Sequence, residues 1–142
     1  MQVFIVGTPY ETAETLDVRR LHKQIVECHQ ILAALNGAKA WSNHPCVLQY
    51  KGHEKWLLNY MYCLIGYSKG DILFALNSNY NCEQLTPSFH TQEYFNQMKR
   101  RLYTKNKQYY SQYSYLGESD CNWYWSDDEN KFIKYINGKR IE

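Results

Sequence analysis

Between Leu21 and Leu35 the apolar residues Leu21, Ile25, Cys28, Leu32 and Leu35 follow one another at intervals of four, three, four and three. That rhythm commits the segment to a helix with one apolar edge, and the edge must pack against something else in the chain. Arg19, Arg20, Lys23, Gln24, Glu27 and Gln30 are expected on the opposite, solvated side. Lys23 and Glu27 are one turn apart, a spacing that permits an ion pair worth a few tenths of a kcal/mol. The plain reading of this face is solvation; the functional reading is a surface suited to anions. A Trp41-Ser42-Asn43-His44-Pro45 turn follows, after Asn36-Gly37 has ended the helix.

The rest of the pattern is mainly α. Gln2 to Val6 is short, apolar and β-branched, which suits either a brief strand or an extended arm. Gly7-Thr8-Pro9 breaks it, and Thr12 or Thr15 is placed to cap the first helix. A second helix is predicted from about Gly52 to Tyr67, with Trp56, Leu57, Tyr60, Met61 and Leu64 on one face, and Ser68 to Asp71 reads as a turn. Residues 77 to 88, rich in Asn, Ser and Thr and containing Pro87, read as a loop. Ser88 or Thr91 is placed to cap a third helix running to Tyr103, with Phe95, Met98 and Leu102 inward. Alternation around Asp127-Asp128-Glu129-Asn130 suggests a terminal β-hairpin. The expectation is a single compact helical domain over residues 1–142, with no repeats or low-complexity linker.

Composition narrows the function. With 142 residues and 44% hydrophobic content the chain can bury a sizeable core. No apolar run approaches membrane-spanning length and no charged-then-apolar leader opens the chain, so the expectation is a cytoplasmic protein with no membrane partner. The five cysteines, at 28, 46, 63, 82 and 121, form no C-x-x-C pair, which favours reduced thiols over disulfides or zinc. His22, Cys28, His29 and His44 lack a second cluster that would complete a tetrahedral metal site, so no metal or cofactor is expected.

A net charge of +2 is too small for bulk polyanion binding, yet the charge is unevenly spread. Lys99, Arg100, Arg101, Lys105 and Lys107 form a run without an acid; Glu118, Asp120, Asp127, Asp128 and Glu129 form one without a base. The two either face each other within the fold or meet across a subunit contact. Six tyrosines from Tyr94 to Tyr115, Tyr103 among them, interleave with the basic run. Rings that stack on bases beside cations that hold phosphate suit nucleotide binding, and the same rings equally suit a core rim or an oligomer interface. Trp41 and Trp56 are expected in the core, and His44 is placed to fix its turn by bonding backbone.

The order Leu-Asp-x-x-Arg-Leu-x-Lys-Gln-x-x-Glu-x-x-Gln-Ile-Leu, then Trp-x-Asn-His-Pro, then Gly52-His53-Glu54, resembles the pyrimidine-dimer DNA glycosylases of the phage endonuclease V type over roughly residues 1 to 67. The resemblance implies a compact helical domain that grips duplex DNA, flips a base and cuts a glycosidic bond through an imine. It also implies two chemical groups: the α-amine of a small N-terminal residue, and a Glu beside a basic residue on the first long helix. Gln2 is too bulky for the usual trimming of Met1, so the amine is expected on Met1, displaced by one residue. Gln24, after Lys23, stands where the carboxylate is wanted, and an amide is no general base. Glu27, one turn or about 5 Å further along, is expected to be too distant for unchanged chemistry.

With no other catalytic motif in the chain, the leading expectation is a non-catalytic nucleotide binder. Its site residues are expected to be Arg19, Arg20, Lys23, Gln24, Glu27, Trp41, Asn43, His44, Arg100, Arg101 and Tyr103. By analogy with phage-borne relatives, such a binder would be a homo-oligomeric sponge for cyclic-nucleotide signals of bacterial immunity. The alternatives are an active glycosylase and AP lyase using the Met1 amine with Glu27, its partner then being nucleic acid, and an interaction protein.

Overall fold

The computed structural model describes residues 1–141. It is mainly helical, with a small antiparallel sheet at its C-terminal end: α1 Pro9–Thr15, α2 Val18–Leu35, α3 Pro45–Gln49, α4 Glu54–Ser68, α5 Ile72–Glu83, α6 Gln92–Lys105, a 3₁₀ turn Ser111–Leu116, then β1 Asn122–Ser126, β2 Lys131–Ile136 and β3 Lys139–Ile141. The residues form two compact units, one from Met1 to Ser88 and the other from Phe89 onward. No helix among the described residues is long and apolar enough to cross a membrane.

In the first unit, the N-terminal segment is an extended arm and not a strand. Val3, Phe4, Ile5 and Val6 are all buried. Thr8 caps α1 in a reciprocal arrangement with Glu11, and Asp17 stands at the N-cap of α2, so neither Thr12 nor Thr15 serves as a cap. Each does another job: the Thr12 hydroxyl accepts from the Val6 N–H at 3.1 Å, and Thr15 bonds back to the Glu11 carbonyl. Helix α2 ends at Asn36, with Gly37 in the left-handed region that follows.

The buried edge of α2 differs from the expected one. It runs through Leu21, Gln24, Cys28, Ile31 and Ala34, while Ile25, Leu32 and Leu35 are only half-buried. Gln24 is thus a core residue and not part of the solvated face; the reason appears below.

Helix α4 buries the face expected of it, Trp56, Leu57, Tyr60, Met61 and Leu64. Trp56 lies in a column of rings between Tyr50 at 5.8 Å and Tyr60 at 5.0 Å, both nearly parallel to it. The segment expected as a loop from residue 77 is helical as far as Glu83, because Asp71 caps α5 through the Phe74 N–H and Ala75, Ser78 and Cys82 supply a narrow buried edge. Asn and Ser have weak helix propensity, and packing against α4 overrides it. That packing is close: a Cβ added to Gly66 would come within 2.9 Å of the Ala75 backbone nitrogen.

The second unit is built on α6. Thr91 caps it, and Tyr94, Gln97, Met98 and Leu102 are its buried residues, with Phe95 only half-buried. β1 pairs with β2 as the hairpin was expected to, Trp125 opposite Phe132 and Trp123 opposite Lys134. A third strand, β3, returns after Asn137-Gly138, both with positive φ as a tight two-residue hairpin requires.

At Gly66 the backbone of α5 leaves no room for a side chain on α4. Gly66→Ala is expected to lower stability by about 1–3 kcal/mol, because the obstacle is backbone and cannot swing aside. Urea denaturation of the two proteins measures it.

Candidate functional site

An arm with no neighbouring strand must find partners for its backbone elsewhere, since buried N–H and C=O groups left alone are costly. Here side chains supply them. The Gln24 carboxamide oxygen accepts from the Phe4 N–H at 2.5 Å, and its nitrogen donates to the Gln2 carbonyl at 3.1 Å. The Tyr60 hydroxyl donates to the Phe4 carbonyl, and the Val3 N–H bonds the Cys46 thiol. A carboxamide offers donor and acceptor from one planar group, as Gln24 must here. A carboxylate would face the Gln2 carbonyl with a second acceptor.

Next along the arm, the Gln2 N–H donates to Glu27 Oε2 at 3.0 Å. Glu27 is half-buried, on α2 one turn beyond Gln24. Glu27 therefore meets the arm at Gln2, one turn beyond the point where Gln24 holds its inner part. By helical spacing, half-buried Arg20 and exposed Lys23 share the flank of α2 with Glu27, and exposed Arg19 lies beyond them.

The Trp41-to-Pro45 turn faces the same end of the arm. His44 caps α3, its Nδ1 accepting from the Cys46 N–H at 3.1 Å, so the ring is bonded to backbone as expected and its proton sits on Nε2. Burial, and then the positive α-amino group of Met1, hold the His44 imidazole below its ordinary pKa. The Met1 amine also acts on the Cys46 thiol, and Glu27 acts on the same thiol with opposite sign. Amine, carboxylate and imidazole therefore share one electrostatic neighbourhood.

Trp41 is 48% exposed and not in the core; its edge meets His44 at 5.7 Å. Its φ of 67° is unusual for a bulky side chain and costs about 1–3 kcal/mol. Asn43 is exposed beside it, whereas Trp56 is a core residue. His22 and His29 are exposed on α2, while Cys28 is fully buried and its thiol is pushed well up by burial.

The remaining expected site residues belong to the second unit, where they are engaged in its own structure. Arg100 Nε donates to the Leu116 carbonyl at 2.9 Å. Arg101 donates to the Ser119 carbonyl at 2.8 Å and to the Asn122 side chain at 3.1 Å. Lys107 pairs with Glu118, so the basic and acidic runs do meet within the fold there. Tyr94, Tyr110 and Tyr113 are buried, Tyr103 is half-buried, and Tyr109 and Tyr115 are exposed. Half of that tyrosine series is core.

Residues 1–67 match the family described as pyrimidine dimer DNA glycosylase, which covers the arm, α1 to α3, the Trp41 turn and nearly all of α4. No curated protein and no solved structure matches the chain.

Three outcomes follow from this geometry. Gln24→Leu strands two buried backbone groups at about 1–3 kcal/mol each, and calorimetry should register the loss. Gln24→Glu is expected to lose stability as pH rises above the ordinary carboxylate range: burial raises the new acid's pKa, the native state then holds more protons than the unfolded one, and only the protonated acid can still donate to Gln2. For His44 the sign is opposite. Its pKa is depressed in the native state, so stability is full above the ordinary value near 6.5 and falls as pH drops below it. NMR titration of the ring should show the low value, and acetylating the α-amine should raise it.

Proposed function

From the match of residues 1–67 to the pyrimidine dimer DNA glycosylase family, we propose that the protein is a DNA glycosylase and AP lyase whose nucleophile is the α-amine of Met1. The observation that carries this reading is the hold of Glu27 on the first peptide N–H of the chain, which brings the amine beside a carboxylate and a neutral imidazole. The expectation of a non-catalytic binder rested on Gln24 in the carboxylate's place, on the displaced Met1 amine and on the lack of another catalytic motif; with Gln24 a clamp in the core, this reading assigns the carboxylate's role to Glu27.

The chemistry suits these groups. In its unprotonated form the amine attacks C1′ of the damaged nucleotide, and the glycosidic C–N bond breaks with its electron pair leaving on the base, which takes up a proton. The sugar ring of the resulting N-glycosylamine then opens, the C1′–O4′ bond breaking as O4′ takes up a proton, and the iminium cation so formed is stabilised by the Glu27 carboxylate nearby. Removal of a C2′ proton then expels the 3′ phosphate, completing strand cleavage. Arg19, Arg20 and Lys23 along α2 supply phosphate contacts that hold the duplex without reading sequence. Trp41, exposed and held in a costly backbone conformation at the edge of His44, is a stacking surface for a displaced base.

Borohydride trapping tests the proposal, using protein tagged only at its C-terminus and duplex DNA carrying a pyrimidine dimer or an abasic site. The expected result is a covalent adduct that mass spectrometry places on Met1. Glu27→Gln should slow trapping by about 100-fold or more, and acetylation of the α-amine should abolish it. Absence of any adduct on either substrate would overturn the enzyme reading. Binding of cyclic nucleotides without an adduct would return the site to the sponge.

A further inference from the structure

Helix α5 is built inside out. Its buried edge consists of the small residues Ala75, Ser78 and Cys82, while the large side chains turn outward: Leu73 is 82% exposed, Tyr80 63% and Leu76 45%. Leu73, Leu76, Asn77 and Tyr80 fall at i, i+3, i+4 and i+7, which is the repeat of a second packing stripe. Ile72 and Phe74 flank it, 39% and 41% exposed, and Tyr62 of α4 leans on Phe74 with ring centres 5.8 Å apart. A helix apolar on both sides is one that packs on both sides.

We propose that this face pairs with the α5 face of a second copy of the chain. Three observations favour that occupant. First, no charged residue lies between Ile72 and Cys82, so nothing on the stripe recognises phosphate or an acidic lipid surface, and two copies meet without like-charge repulsion. Second, the six exposed residues present on the order of 700 Å² per copy, so two copies can bury up to about 1,400 Å², an upper limit that reaches the range of stable specific interfaces. Third, the stripe is self-complementary. With two antiparallel helices related by a two-fold axis between positions 76 and 77, Leu73 of each copy meets Tyr80 of the other, and Leu76 meets Asn77. The pairing is independent of the chemistry proposed for the arm.

Sedimentation equilibrium of the full chain tests this. The wild type is expected to be a dimer at micromolar concentration. Leu73→Lys alone and Tyr80→Asp alone should each weaken association by 100-fold or more, with the circular dichroism spectrum unchanged. Combining Leu73→Lys with Tyr80→Asp should restore the dimer, because the antiparallel register places each new cation against the other copy's new anion. A wild type that stays monomeric at 100 μM would overturn the proposal. A dimer that survives both single substitutions would place the contact elsewhere and overturn it too. Failure of the double variant to associate would refute the antiparallel register.

Discussion

The fold of the first unit turns on one carboxamide. Gln24 takes both hydrogen bonds that a neighbouring strand would have given to the arm at Phe4 and Gln2, and it does so inside the core, where water is no substitute. Each of these bonds contributes modestly while it is made and costs more when it is broken. The Tyr50–Trp56–Tyr60 ring column then presses the Tyr60 hydroxyl against the Phe4 carbonyl, so α4 and α2 grip the same residue from two directions. The arm is extended backbone whose partners are side chains. Its position fixes where the α-amine stands, and the position of the amine decides what Glu27 and His44 can do.

This explains why the site was only partly legible in the sequence. Helix α4 and its buried face, the hairpin of β1 and β2, and the backbone bond of His44 all follow from local pattern and hold in the structure. Gln24 does not follow, because a rule that sends polar residues outward has no way to see an arm lying 20 residues away in sequence. Its spacing from Leu21 and Cys28 was nevertheless that of a core position: three and four residues, the same as any apolar neighbour. The polar content of residues 77 to 83 misled in the same way, since small Ser and Cys pack where larger residues would not. β3 had a sequence signal, the Asn137-Gly138 pair, that points to a tight hairpin. Trp41 had none, since neither its exposure nor its left-handed backbone is set by its immediate neighbours in sequence.

In the second unit the cations that suggested a nucleic-acid surface serve the fold. Arg100 ties the end of α6 to the 3₁₀ turn and Arg101 ties it to the loop that follows, where Gln97 also bonds the Ser119 hydroxyl and the Cys121 carbonyl, both at 2.7 Å. Lys99 lies over the Tyr113 ring and Lys134 over Trp123, so aromatic faces are occupied by the chain's own cations. Charge and aromatic content read along a sequence give the inventory of a surface; they do not say which of its members are already committed to one another.

Cys46 gives the arm a further property. Its thiol is fully buried, pushed up to about 12 chiefly by burial, and in contact with the Val3 N–H, so it is inert to alkylating reagents while the arm is seated. Lifting the arm would remove that contact. The Val3–Cys46 contact and the Gln2–Glu27 bond are thus coupled through two residues of one extended segment: a displacement that breaks the first also moves the amine away from Glu27.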